Sequence, residues 1–576
     1  MKWRWSVGMV RFSDGCKTPS FRKHQIHKLL PQQQWHHKKS RTSVGGLADG
    51  QQDSGLLRCF DIMCSLVFLC ARKVVSDHSS IHKALDFIPK ELYPVLFKAA
   101  FIDKKTLVLR DLVHRWPFTV LSFRKLLEDT NKHEFSTTAK EEPSKLCVQT
   151  VILGVIANLN EGLALGDKEH NTRRHQLRLL DMTGLQDGGI NDDPQTMSLW
   201  SRTVTLAKAC IEVSKRQCEE AKRAWKRRKG MGSTLVAANA PDDQLYVEVR
   251  VDLFVNSTSY GVLREALQVS TSSPLRLKCR DFRAEELSIR STVGLLELLD
   301  SASVRQVDLR FNNLGLSGLN MLLPYMAKFP SLLSLKLPYN NIDVRRLSVE
   351  MEKGLQSFAT EIGRLSSLKE LNLGASRLSG RLRQLLGGLN NPLESLELAF
   401  CHLLPSDISY LSESIHVPSL KKLDLSGNNL SELLLHPFQR LISRVSASLL
   451  YLDIMECKLT DTHLEAILPS IYLCSKLRYL GIFCNPISCQ GLKTFVLRST
   501  PLHDLQLVIY PYPVDCYSES LPWPTSLCSF QDTCFIEEKM SQFTVDLHRI
   551  VEEAHRTDVV WTTDLYKHRT LEYLNL

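Results

Sequence analysis

The chain has no CxxC pair, and its sixteen cysteines are scattered over 576 residues with no Cys/His set at zinc spacing. That excludes the common zinc modules and points to small buried thiols in a reducing compartment rather than to disulfides. Cys474, Cys484 and Cys489 lie close together, but in different parts of one repeat. There is no GxSxG elbow, P-loop, dinucleotide glycine set or metal-ligand cluster. His463, His503 and His548 belong to no recognisable catalytic motif. A non-enzyme without cofactor or metal is the expectation. Long apolar runs are missing too. The longest, Ile62 to Ala71, is bracketed by Asp61 and Arg72 and is about half the ~20 residues a spanning helix needs. The basic N-terminus lacks an apolar core followed by a small-residue cleavage site, so the expected location is the cytoplasm.

Charge of one sign is scarce outside one region. Of the formal +10, residues 1–62 carry +7 and the remainder only +3. A nearly neutral body gives no chain-wide reason to expect nucleic acid as partner. Residues 1–62 mix Gln, His, Lys, Ser and Gly without an apolar period and are expected to be a disordered basic extension. Residues 63–130 read as a helical N-terminal cap. Its helices are expected around Leu66–Val74, across Ile88–Phe101 with Pro89 in a first helical turn, and over Thr106–Trp116. Residues 131–245 read as a connecting region: a polar loop at Thr130–Lys145, a helix at Val148–Leu159, a strand at Leu177–Met182 and a long helix at Thr196–Lys229. That helix runs into a basic insertion at about 214–243. Lys222–Lys229 suits either an import or nucleic-acid patch or a solvated insertion, with Trp225 its single aromatic. Val247–Leu253 alternates strictly and predicts a strand.

From residue 246 to 510 leucine recurs with a period. Seven segments fit LxxLxLxx(N/C)xL, among them Leu393-Leu396-Leu398-Cys401-Leu403, Leu420-Leu423-Leu425-Asn428-Leu430 and Leu477-Leu480-Ile482-Asn485-Ile487. Spacing is mostly about 25–29 residues, the range of leucine-rich repeats. One interval is longer and implies a loop insertion near Val344–Gly354. A short strand sends its leucines inward, a turn Asn or Cys satisfies loop backbone, and a helix-compatible stretch returns the chain. The fold class is therefore α/β: a leucine-rich-repeat solenoid, a ribonuclease-inhibitor-like horseshoe with parallel strands inside and helices outside. Residues 511–576 form a C-terminal cap. Alternation places Asp308, Lys336, Asn372, Glu397, Asp424 and Asp453 in one row on the concave face, flanked by Arg310, Tyr451, Tyr479 and Phe483. Four acids in that row suit either a docking stripe for a basic segment or an ordinary solvated sheet face.

Ile88-Pro-Lys-Glu-Leu-Tyr-Pro-Val-Leu-Phe-Lys-Ala-Ala-Phe101, Trp116-Pro-Phe118, Gly380-Arg-Leu-Arg-Gln-Leu-Leu386, Asn391-Pro-Leu-Glu-Ser-Leu396 and Tyr510-Pro-Tyr-Pro-Val-Asp515 together resemble the PRAME family of leucine-rich-repeat proteins. The resemblance spans Met63 to the C-terminus, and the basic segment at Lys215–Lys229 departs from it. It gives meaning to two short motifs. Leu66, Cys70 and Val74 fit an elongin-binding box, and Ile88, Pro89, Leu92 and Leu96 fit a cullin-2 box. The pair implies a substrate receptor of an elongin B/C–cullin-2 ubiquitin ligase; by residue pattern alone it could equally be a helical cap over the first repeat. Resemblance to one branch of the family implies a second role: a cytoplasmic negative regulator of Toll-like-receptor signalling to NF-κB that binds IKK-beta and blocks assembly of the kinase complex. Limited proteolysis should trim the chain to about residue 60 before any other cut accumulates; protection of that stretch would contradict the reading of residues 1–62.

Overall fold

The computed structural model describes residues 66–127, 144–165, 176–185, 196–229, 245–345, 348–517 and 536–565. The extension at 1–62, nearly all of the polar loop at 130–145 and the 230–243 part of the basic insertion lie outside them. One parallel sheet of thirteen strands runs through the described chain, each strand beside its neighbours in sequence. The strands are β1 (Val120–Ser122), β2 (Leu179–Asp181), β3 (Val247–Val255), β4 (Leu275–Ala284), β5 (Gln306–Asp308), β6 (Ser334–Lys336), β7 (Glu370–Asn372), β8 (Ser395–Glu397), β9 (Lys422–Asp424), β10 (Tyr451–Asp453), β11 (Tyr479–Gly481), β12 (Leu507–Ile509) and β13 (Val560–Thr562). Most connections return through a helix, so that helices such as Leu435–Val445, Asp461–Tyr472 and Cys489–Leu497 form a second layer. This is the leucine-rich-repeat solenoid.

Register explains the leucine period. Val307, Leu335, Leu371, Leu396, Leu423, Leu452, Leu480 and Val508 are consecutive Cα partners from β5 to β12, and all are buried. Each repeat's aliphatic ridge therefore meets the next, and no repeat could bury its own alone. Neighbouring strands sit about 4.8 Å apart and packed helices about 8–10 Å apart, so a coil with strands on one wall must curve with the sheet inside.

The turn leaving each strand is held by a buried polar ladder. Asn428 Nδ2 donates to Leu425 O at 2.8 Å and to Leu398 O of the preceding repeat at 3.0 Å, while its Oδ1 accepts from Leu403 N at 3.1 Å. Asn485 does the same with Ile482 O, Ile454 O and the amides of Cys457 and Leu459. Asn312 and Asn340 repeat the pattern. At Cys401 and Cys457 the thiol reaches back instead, to Leu373 O at 3.3 Å and Leu425 O at 3.4 Å. The backbone passes these turns at positive φ, at Phe311, Tyr339, Ala375, Phe400, Glu456 and Cys484. Only Gly427 is a glycine there, and a Cβ on it would come 2.1 Å from Phe400 Cδ1.

Four expectations are revised. The strand ladder is longer than the sequence repeat: β1, the expected strand β2 and β13 extend it beyond 246–510, because three residues need little more than backbone to pair; β1 and β2 each add a buried leucine, Leu121 and Leu180, and β13 only half-buried residues. The extra residues near Val344–Gly354 do not make a plain loop. They lengthen the outer helix to fifteen residues, Val349–Gly363, capped by Ser348 and carrying Glu350 and Glu352 in its first turn, where acids favour a helix start. Pro89 precedes a 3-10 turn at Lys90–Leu92, and Pro94 occupies the first turn of the α-helix Tyr93–Ile102. The connecting-region helix is also longer than Val148–Leu159, spanning Lys145–Leu165.

Replacing Asn428 with Ala should cost about 2–3 kcal/mol by stranding buried carbonyls. Asn428→Cys should cost clearly less, since a thiol serves the same site at Cys401 and Cys457. Chemical denaturation followed by circular dichroism gives the order directly.

Candidate functional site

Two surfaces stand out: the inner wall of the sheet and the outer face of the N-terminal cap. Inner-wall side chains alternate with the buried leucines in two rows. The row read from sequence is aligned as expected, Asp308↔Lys336↔Asn372↔Glu397↔Asp424↔Asp453. Beside it runs a second row, Gln306↔Ser334↔Glu370↔Ser395↔Lys422↔Tyr451↔Tyr479.

The second row changes the chemistry of the first. Four free acids are not what the wall presents. Asp308, Lys336, Asp453, Tyr451 and Tyr479 are buried, and Glu397 and Asp424 are half-buried. Arg310 Nε lies 2.8 Å from Asp308 Oδ2. Lys422 Nζ lies 2.7 Å from Glu397 Oε1, whose other oxygen accepts from Asn372. Lys336 Nζ stands 3.7 Å from Glu370, which also accepts from the Ser334 hydroxyl. The wall's centre is a cross-strand lattice of alternating charge. Burial works against every charge in it, yet Lys422 and Lys336 hold the Glu397 carboxyl below its usual range, and Glu397 and Glu370 hold Lys422 above the usual amine range.

Past Lys422 the lattice runs short of cations, at Asp424 on β9 and Asp453 on β10. Burial, then the neighbouring Glu397, pushes the Asp424 carboxyl up to about 6. Burial, then Asp424, pushes Asp453 well above the carboxylate range. Asp453 is held by the Ser426 hydroxyl at 3.0 Å and by the phenol oxygens of Tyr451 and Tyr479, each 3.4 Å from Oδ2. Those two rings stack with centroids 3.9 Å apart and planes 3° apart. The row position after Asp453 is Gly481, where a Cβ would sit 2.6 Å from Asp453 Oδ1 and 2.9 Å from the Tyr479 hydroxyl. Only glycine lets this corner close. Beyond it the wall is apolar: Tyr451, Tyr479, Phe483, Leu507 and Ile509 form a cluster separate from the main core, with Met455, Cys484, Val560 and Leu565 packed on it.

The N-terminal cap presents an apolar ridge. Helix Leu66–Val75 buries Ala71 and Val75 against the core, while Leu66 is 76% exposed, Val74 is 45% exposed and Cys70 is exposed with them. Of the cullin-2-type residues, Pro89 and Leu92 are exposed and Ile88 is half-buried. Leu96 differs from expectation: at 4% exposure it is a core residue. Helix Tyr93–Ile102 is apolar on nearly every side, so the position that a motif assigns to a partner is taken by the cap's own packing with Tyr93, Phe97 and Ala100. Phe87, 85% exposed beside this surface, had no motif to mark it.

The cap also holds a cluster that sequence reading passed over. His78 Nε2 and His82 Nδ1 lie 2.9 and 2.7 Å from the same Asp111 oxygen. The available signal was the i,i+4 spacing of the two histidines. Although burial opposes it, hydrogen bonding to both imidazoles holds the Asp111 carboxyl below its ordinary range. No helix among the described residues is long and apolar enough to cross a membrane.

Comparison with known proteins places this geometry in context. The family model described as the PRAME N-terminal domain matches residues 64–188, and that of the PRAME C-terminal domain matches residues 251–570. Leucine-rich repeat-containing protein 14 of Xenopus laevis is 63% identical over 89% of this chain and all of its own length. The Homo sapiens protein of the same name is 46% identical over the same shares. Among solved structures, a chain of the Rad7 and Elc1 complex of yeast covers 82% of this chain and 97% of its own, at 12% identity and a TM-score of 0.38.

Asp424→Asn removes a half-buried negative charge that is crowded by Glu397. A carboxyl whose folded pKa is raised stabilises the fold less as pH climbs from about 4 to about 6, and the penalty is complete above that. The variant should therefore be more stable than wild type at pH 8, by roughly 2 kcal/mol, and nearly equal to it at pH 4. Thermal melts at the two pH values check the sign.

Proposed function

The chain belongs to the PRAME family, and from that premise we propose that it is a non-enzymatic protein-binding solenoid that restrains Toll-like-receptor signalling to NF-κB by binding IKK-beta and blocking assembly of the kinase complex. Kinship over nearly the whole chain with leucine-rich repeat-containing protein 14 supports the signalling part of this reading. The observation that carries protein binding is the division of the inner wall. Its centre satisfies its own charges, so a guest gains little there without breaking 2.7–2.8 Å ion pairs. Its C-terminal end offers half-buried Met455 and Cys484 against the cluster of the Tyr451–Tyr479 stack and exposed Tyr512 edge-on to Phe483, an aromatic and thioether surface of the kind interfaces favour.

A second reading rests on a different surface. A helix that buries one side and leaves Leu66, Cys70 and Val74 exposed keeps an apolar face without a partner among the described residues. That favours docking of elongin C there and of cullin-2 alongside, at Pro89 and Leu92, in a ubiquitin ligase for which the solenoid is the substrate receptor. The two readings are compatible, because the surfaces lie on different elements.

Affinity purification from cells tests both. Wild type should bring down IKK-beta, elongin C and cullin-2. The double variant Leu66→Asp, Leu92→Asp changes exposed positions only, and should lose elongin C and cullin-2 at least tenfold while retaining IKK-beta. Loss of nothing would make both boxes purely structural, and absence of IKK-beta from the wild-type sample would end the first reading.

A further inference from the structure

We propose that His78, His82 and Asp111 form a binding site for a divalent transition metal of the zinc class, which ties the short helix His78–Ala84 to the helix Thr106–His114. The three side chains converge from two elements that are far apart in sequence. His78 and His82 stand one turn apart on one helix face, the spacing that lets two imidazoles reach one point. Asp111 comes from the neighbouring helix with its side chain 10% exposed. The three donor atoms lie within 4.8 Å of one another. Both histidine nitrogens aim at one oxygen, Oδ2, at 2.9 and 2.7 Å. The other oxygen has Arg110 Nε at 3.7 Å, beyond hydrogen-bond length.

The donor set selects the ion. Two imidazoles and one carboxylate suit zinc, cobalt, nickel or copper, whereas magnesium and calcium demand oxygen cages. An ion held at ~2.0–2.1 Å in tetrahedral geometry spaces its donors about 3.3 Å apart. The present contacts are a few tenths of an ångström shorter, and the histidines have room to open: their side chains are 36% and 52% exposed. The same exposure leaves an entry path and a fourth position for water. Asp77 is not part of the set, since its carboxylate is taken by Ser79 and Ser80 at the start of the helix.

Position gives the site a role. Helix His78–Ala84 has seven residues, too few to hold helical shape unaided, and it follows the apolar ridge of Leu66–Val75 directly. Metal binding there would fix the segment between the ridge and the exposed Pro89–Leu92 surface. The inference concerns the cap alone and stands whether or not those surfaces bind a ligase.

The test uses the full chain, stripped with a chelator and titrated with Zn(II) against a chromogenic competitor, then with Co(II). Wild type should take up one more equivalent than His78→Ala/His82→Ala, and its Co(II) form should show d–d absorption at that site without a thiolate charge-transfer band. Asp111→Asn and the exposed His82→Gln should each weaken that equivalent at least tenfold. Zn(II) should raise the melting temperature of wild type but not of the double variant. Equal stoichiometry and affinity in wild type and double variant would overturn the proposal, as would a thiolate band accompanying that equivalent. If circular dichroism shows the double variant unfolded, His82→Gln decides by the same comparison: unchanged affinity refutes the site.

Discussion

A coil of short strands strands its own backbone. After three residues of ladder each repeat must turn, and the carbonyls at that turn point into the protein, where water cannot reach them. The structure depends on answering those groups. One side chain per repeat does so, and in the same gesture reaches into the repeat before it, as Asn428 does with Leu425 O and Leu398 O. Aliphatic ridges then supply the bulk of the driving force, but they would accept many registers. A polar group that is satisfied in only one register converts greasy stacking into a defined pitch. Ser376 marks the limit of the device: it sits at the same position, its hydroxyl finds no partner, and it is too short to span to the neighbouring turn.

The inner wall inherits its order from that pitch. Side chains of successive repeats are brought to strand spacing, about 4.8 Å, which is near enough for every charge to feel the next. Like charges at that spacing repel and opposite ones lock, so the wall divides into a region where Lys336 and Lys422 meet Glu370 and Glu397, a crowded corner where Asp424 and Asp453 have too few cations, and an end where the problem is avoided by aromatic stacking. Partner chemistry is sorted along the coil by the same packing that builds it.

How much of this could be read beforehand follows from what repeats and what does not. The leucine period declares itself because the same solution recurs seven times, and the family resemblance adds the cap. The row containing Asp308 and Asp453 was legible from alternation. Its burial was not, because that depends on the parallel row of Glu370, Lys422 and Tyr451, which carries no shared residue type from repeat to repeat. β2 was legible as the strand at Leu177–Met182, but β1 and β13 escaped: a strand of three residues needs little more than one hydrophobic side chain, Leu121 in β1 or the half-buried Trp561 in β13, and one residue is no pattern. Leu96 was misplaced for a related reason: a short motif cannot distinguish an apolar residue that faces a partner from one that faces its own core. The pairing of His78 and His82 with Asp111 lies across helices, and only one half of it was visible in the chain order.

The sheet begins at Val120–Ser122 and closes at Val560–Thr562, and each terminal strand pairs on one side only among the described residues. An open sheet margin is a template on which another molecule can add a strand, and long solenoids run that risk at both extremities. Here each margin is three residues long. An incoming strand would find two or three hydrogen bonds before running out of partner, too few to repay the ordering of its own chain. Brevity at the margins makes this thirteen-strand sheet a poor template for strand addition at either end.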